Sequence, residues 1–173
     1  MANNMDEIDY TALEEFIYAH RMTDEYTVHG IDHWHQVEFN GLLLAKKTNA
    51  DETVIRLFSL LHDSCRMDDG YDKEHGARGA ELAKKLRGDL FNLDDARFEK
   101  LIHACANHTI EPFTEDATID SCYDADRLDL GRVGMTPSPA KMATVFGKKI
   151  AKMMADEPVF NHRKWIKIFA ERF

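Results

Sequence analysis

Apolar side chains recur at the i, i+3, i+4, i+7 spacing of a helix face along almost the whole chain, while the alternation of a strand is nearly absent. This periodicity predicts helices near residues 7–21, 32–48, 52–64, 75–87, 94–108, 117–130, 139–155 and 160–172, hence an all-α bundle of about seven to eight short helices. Local punctuation agrees. Asn49 stands three residues before Glu52, the spacing of a capping box. Gly88 follows the Leu82–Leu86 segment where a left-handed residue is favoured, and Pro137 and Pro139 interrupt the chain ahead of the last helices. At 173 residues, without repeats or low-complexity tracts, the chain suits one domain with a real core.

Charge and cysteine usage narrow the function. A formal net charge of −9 disfavours a nucleic-acid polymer as partner, since such surfaces cluster Lys and Arg against phosphates. The charge is uneven: residues 1–140 carry 14 Lys/Arg against 28 Asp/Glu, and residues 141–173 carry 8 against 3. The basic terminal helices read first as a solvated face and second as a docking edge for an acidic partner. Cys65, Cys105 and Cys122 lie far apart with no CxxC spacing, which argues against a disulfide framework or a zinc knuckle and suits a reducing cytoplasm. The opening MANNMDEIDY lacks an apolar signal core, and no stretch approaches the roughly 18 apolar residues of a membrane span. A soluble cytoplasmic protein with no membrane partner is expected.

The stretch LFSLLHDSCRMDDG places an adjacent His62 and Asp63 at the end of an apolar run. Val54, Leu57, Phe58 and Leu61 form a buried face, and His62 lies one turn beyond Phe58, so it should point inward. Stepping back one turn from the stripe Gly79, Leu82, Ala83 and Leu86 reaches His75. Phe98, Leu101, Ile102 and Cys105 lead to His108, and Ile119, Cys122 and Tyr123 lead to Asp126, with Asp124 turned away. Near residue 33 both His33 and His35 continue apolar rows, and their spacing lets only one join a shared site. Singly, each of these residues reads as a satisfied core or helix-end group. As a set they would bury several imidazoles and two carboxylates together, at a cost of several kcal/mol per unpaired ion, which a shared cation offsets.

The order His33, His62-Asp63, Asp126 resembles the H…HD…D pattern of the HD superfamily of metal-dependent phosphohydrolases. Its first histidine usually stands in an HxxRV-like element, here His33-Trp34-His35-Gln36-Val37 with Gln36 in place of arginine, and this selects His33 over His35. Its last aspartate usually stands in an ADRL segment, here Ala125-Asp126-Arg127-Leu128. His75-Gly76-Ala77-Arg78-Gly79 looks like the Hx₃G element of members with two metals, and His108 like their remaining histidine, giving H-HD-H-H-D. The resemblance spans residues 29–133. It implies a single HD domain over 1–173, with a core at 29–133 and the helices of 139–173 packed on it.

The resemblance further implies one or two divalent ions held by His33, His62, Asp63, His75, His108 and Asp126. Mixed N/O ligation suits Mn, Fe, Co, Ni or Zn ions better than Ca, and Mg stays among the candidate ions. Asp63 would bridge two ions, and Asp63, His75 and His108 would be the catalytic groups in hydrolysis of a small phosphorylated compound, a nucleotide first, by metal-bound hydroxide. Arg66, Arg78 and Arg127 are the expected substrate contacts, because the guanidinium fork matches phosphate. Two other readings use the same residues: a mixed-valence di-iron oxygenase and a non-catalytic nucleotide-binding regulatory domain. The amphipathic C-terminal helices, with Met142, Phe146, Ile150, Trp165 and Phe169, are expected to pack on the core or form a homodimer contact.

Overall fold

The computed structural model describes residues 8–156. Seven α-helices account for most of them: α1 (Tyr10–Ala19), α2 (Ile31–Thr48), α3 (Glu52–Leu61), α4 (His75–Leu86), α5 (Asp95–Asn107), α6 (Ala117–Arg127) and α7 (Val145–Asp156). Short 3-10 turns cover Leu130–Val133 and Pro139–Lys141. Among the described residues there is no strand, only an isolated bridge between Arg87 and Phe91. The all-α expectation holds. The helix expected over 139–155 is broken, because Pro139 opens a 3-10 turn and α7 begins only at Val145. The helix expected over 160–172 lies outside the described residues.

Aspartates start most of these helices. The side chains of Asp9, Asp51, Asp94 and Asp116 each accept from a backbone N–H two or three residues on, satisfying donors that the first turn leaves unpaired. This corrects the capping box expected at Asn49: the cap of α3 is Asp51, which accepts from the Val54 amide at 3.0 Å. Asn49 instead closes α2 in a left-handed conformation, φ 59°, with its N–H donating to Ala45. Gly88 does adopt the positive φ expected past α4.

Helix α3 is the axis of the bundle. Val54, Ile55, Leu57, Phe58, Ser59, Leu60 and Leu61 are all buried, and α2, α4, α5 and α6 pack around it. Burial of a side chain such as Leu57 or Phe58 contributes roughly 1.5–3 kcal/mol, so this helix carries much of the core. A polar clamp ties α2 to α6: Gln36 donates to Asn40, whose amide donates to the Ala125 carbonyl at 2.9 Å. The approach of α4 to the C-terminal end of α3 depends on Gly79. A Cβ there would collide with the Leu61 carbonyl oxygen. Gly76 likewise lies against the Cys105 carbonyl of α5. These close approaches bring the first turn of α4 to the ends of α3 and α5. The three cysteines are free.

Candidate metal centre

The C-terminal ends of α3, α5 and α6 converge with the N-terminal ends of α2 and α4. His62 caps α3 and Asp63 follows it; His108 caps α5; Asp126 closes α6; His33 and His75 open α2 and α4. His33, His62, Asp63, His75 and His108 are buried, and Asp126 is half-buried. His33 Nε2 lies 3.1 Å from His62 Nε2 and 3.3 Å from Asp126 Oδ1. His75 Nε2 lies 3.1 Å from His108 Nε2. Asp63 stands between the pairs: Oδ2 is 3.5 Å from His33 and 3.7 Å from His62, and Oδ1 is 3.1 Å from His75 and 3.7 Å from His108.

The hydrogen bonds on the far side of each ring decide what the facing nitrogens can do. His62 Nδ1 faces the Phe58 carbonyl at 3.0 Å, His108 Nδ1 that of Cys105 at 2.8 Å, and His75 Nδ1 that of Asp72. A carbonyl oxygen only accepts, so each Nδ1 carries a proton, and each ring in its neutral form turns a lone pair on Nε2 towards its neighbour. His33 Nδ1 donates to Asp129 Oδ2 at 2.7 Å. Two lone pairs 3.1 Å apart repel unless a proton or a metal lies between them. Ligands about 2.1 Å from one ion and at right angles are about 3.0 Å apart, so the donor set fits divalent cations, with Asp63 reaching both pairs.

The electrostatics of the metal-free cluster point the same way. Burial disfavours a charged His33, but the carboxylates of Asp126, Asp129 and Asp63 outweigh it and raise the imidazole to about 10. Burial pushes His62 down to about 3, with the charge of His33 adding to the effect against Asp63. Burial would also raise the carboxyls, yet the facing imidazoles hold Asp63 and Asp126 below the usual carboxylate range. The cluster calls for positive charge, and a proton on His33 stands in for it.

Three neighbours escaped the reading of the sequence. Asp129, fully buried, orients His33. His29 Nδ1 lies 2.6 Å from Asp63 Oδ2. Arg132 donates to the Val28 and Asp129 carbonyls and lies 3.9–4.0 Å from Asp126 and Asp63. Positions 126, 129 and 132 step by three, a helical signal that extends past Leu128, whereas His29 precedes α2 and has no helical phase.

Of the expected arginines, Arg66 reaches the cluster: its Nε is 3.5 Å from Asp63 Oδ1, and Nε and Nη1 are buried without a hydrogen-bond partner. Arg78 instead holds the loop before α4, donating to the Cys65 carbonyl at 3.0 Å and to the Asp72 carboxylate. Arg127 donates to the carbonyls of Pro112, Lys141 and Glu111 at 2.7–3.0 Å. His35 turns outward and pairs with Glu14 at 2.6 Å, so His33 is the histidine of α2 at the cluster. Among the described residues no helix is long and apolar enough to cross a membrane.

The HD domain family model matches residues 30–144. No curated protein matches the chain. Among solved structures, the chain is similar to a predicted HD superfamily hydrolase from an uncultured Thermotogales bacterium, at 24% identity and a TM-score of 0.67, over 96% of this chain and 92% of that one. At that identity the likeness bears on the fold.

Proposed function

The chain belongs to the HD domain family, and from that premise we propose that it is a metal-dependent phosphohydrolase acting on a small phosphorylated compound, with nucleotides the first class to test. The observation that carries the reading is the facing of Nε2 nitrogens, His33 against His62 and His75 against His108, with one oxygen of Asp63 turned to each pair. His33, His62, Asp126 and Asp63 would hold one divalent ion, and His75, His108 and Asp63 a second. Ions so held supply Lewis acidity, neutralising phosphate charge and lowering the pKa of water towards about 7. The solved relative named as a predicted hydrolase is consistent with this chemistry.

The surrounding side chains have definable tasks. Arg66 offers buried, unspent donors beside Asp63 and is the chain's best phosphate contact. Asp129 holds His33 in the tautomer that keeps Nε2 free for a ligand. Arg132 sits close to Asp63, Asp126 and Asp129 and limits the repulsion among them. His75 and His108 would serve as phosphate donors or general acids if only the His33 site were filled.

The test is phosphate release from a panel of nucleotides and phosphoesters by protein loaded with Mn²⁺, alongside elemental analysis of the protein as isolated. Metal-dependent turnover that disappears in Asp63→Ala is expected. Absence of turnover across the panel in fully metallated protein, or isolation with two irons and consumption of O₂, would refute it.

A further inference from the structure

Beside the metal centre runs a cleft of about 680 Å³ that includes His108 and Asp126 in its wall, one from each half of the ligand set. That volume falls in the range of roughly 300–1,000 Å³ typical of small-molecule sites. Two of its other polar walls, Glu111 and Arg127, are already engaged. The Glu111 carboxylate accepts from the Tyr123 hydroxyl and pairs with His103, both at 2.7 Å, and the Arg127 guanidinium is committed to three carbonyls. What the cleft offers a ligand is therefore mainly apolar, with Ile110, Phe113, Leu130 and Met142 beside the polar Thr109 and Lys141. Ile110 and Phe113 are 67% and 57% exposed, large apolar groups left in water just beyond His108, where a bound molecule would cover them. Lys141, a cationic residue, is part of this lining.

We propose that this cleft receives the non-reacting part of the substrate, and that this part is a flat, largely apolar ring such as a nucleobase or an aryl group, with an acceptor on its edge for Lys141. The inference rests on the phosphohydrolase reading for the position of the phosphate, which lies at the His108 and Asp126 end. Phe113 supplies a ring face for stacking and Ile110 a side wall. Short polar phosphoesters leave both uncovered, so discrimination among substrates arises here and not at the ions.

Calorimetric titration of the Mn²⁺-loaded full chain with two non-hydrolysable probes, naphthylmethylphosphonate and methylphosphonate, tests this separately from turnover. The naphthyl probe is expected to bind about 30-fold more tightly, from the apolar area it buries. In the Ile110→Ser/Phe113→Ser double variant that ratio is expected to fall below about 3-fold. Both side chains are mostly solvent-exposed, and circular dichroism melting checks that the fold survives. Equal binding of the two probes, binding of neither, or a preference that persists in the double variant would overturn the proposal. Ring-selective binding without hydrolysis of any phosphoester would overturn the hydrolase reading and leave the cleft assignment standing.

Discussion

Replacing Asp129 by asparagine removes a charge without removing volume, at a residue with no exposed surface. Its Oδ2 lies 2.7 Å from His33 Nδ1 and it also faces Arg132, so the carboxylate both fixes the ring and strengthens Nε2 as a donor. A carboxamide weakens this in either orientation. If its oxygen faces His33, the hydrogen bond survives without its charge; if its NH₂ faces His33, the ring must move its proton to Nε2, where a metal would bind. Loss of such an outer partner costs about 10- to 100-fold in metal affinity, or about 1.4–2.7 kcal/mol. Chelator-competition titration with Mn²⁺ or Zn²⁺ on wild type and Asp129→Asn is expected to show one ion weakened by that factor and the other nearly unaffected. Asp124→Asn provides the contrast, since Asp124 is equally buried on α6 but accepts from the Ala143 and Thr144 amides ahead of α7; it should lower stability and spare affinity. Unchanged metal binding in Asp129→Asn would refute the tautomer argument.

Other perturbations separate the two halves of the site from the scaffold. Gly79→Ala drives a methyl into the Leu61 carbonyl and must push α4 from α3; a loss of about 1–3 kcal/mol is expected in thermal melts, together with loss of the ion at His75 and His108 by elemental analysis. Asp51→Ala removes the cap of α3 and the partner of Arg97 at 2.7 Å; urea titration is expected to show a loss of about 1–2 kcal/mol, mostly the cap, because the ion pair is partly exposed. In chelated protein the raised pKa of His33, about 10, contributes stability that is complete below about pH 6.5 and is lost as pH rises towards 10. The depressed pKa of His62, about 3, has the opposite sign: its contribution is complete above about pH 6.5 and is lost as pH falls towards 3. Melting temperatures of metal-free protein are expected to peak near neutral pH, and saturating Mn²⁺ should flatten the alkaline limb, where the ion replaces the proton on His33.

The cluster also explains how a core can tolerate so many ionisable groups. Asp63 and Asp129 are almost wholly buried, and unpaired charges in that environment cost several kcal/mol each. Here Asp63 and Asp126 meet imidazoles and Arg132, and His33, His62, His75 and His108 are each held from behind by a carbonyl or by Asp129. Removal of one partner therefore leaves another uncompensated, which is why single substitutions at the cluster should be felt at both ion positions when they fall on Asp63 and at one when they fall on Asp129.

Helical periodicity by itself determined the all-α class, the inward direction of His62, His75, His108 and Asp126, and the turn of Asp124 away from that cluster. It could do so because about 100° per residue sets the angle of each side chain around its own helix axis. Periodicity says nothing of which helix ends meet, so it left His33 and His35 equivalent; the motif around His33 chose between them, and packing agrees by turning His35 outward to Glu14. The tertiary structure alone recruited His29, which lies ahead of α2 and has no helical phase, and chose Asp51 over Asn49 as the cap of α3. It also sorted the arginines. A guanidinium on a long flexible stem goes to whichever carbonyl or carboxylate the fold brings near, and only the assembled bundle put backbone oxygens around Arg127, a loop around Arg78, and the Asp63 carboxylate beside Arg66.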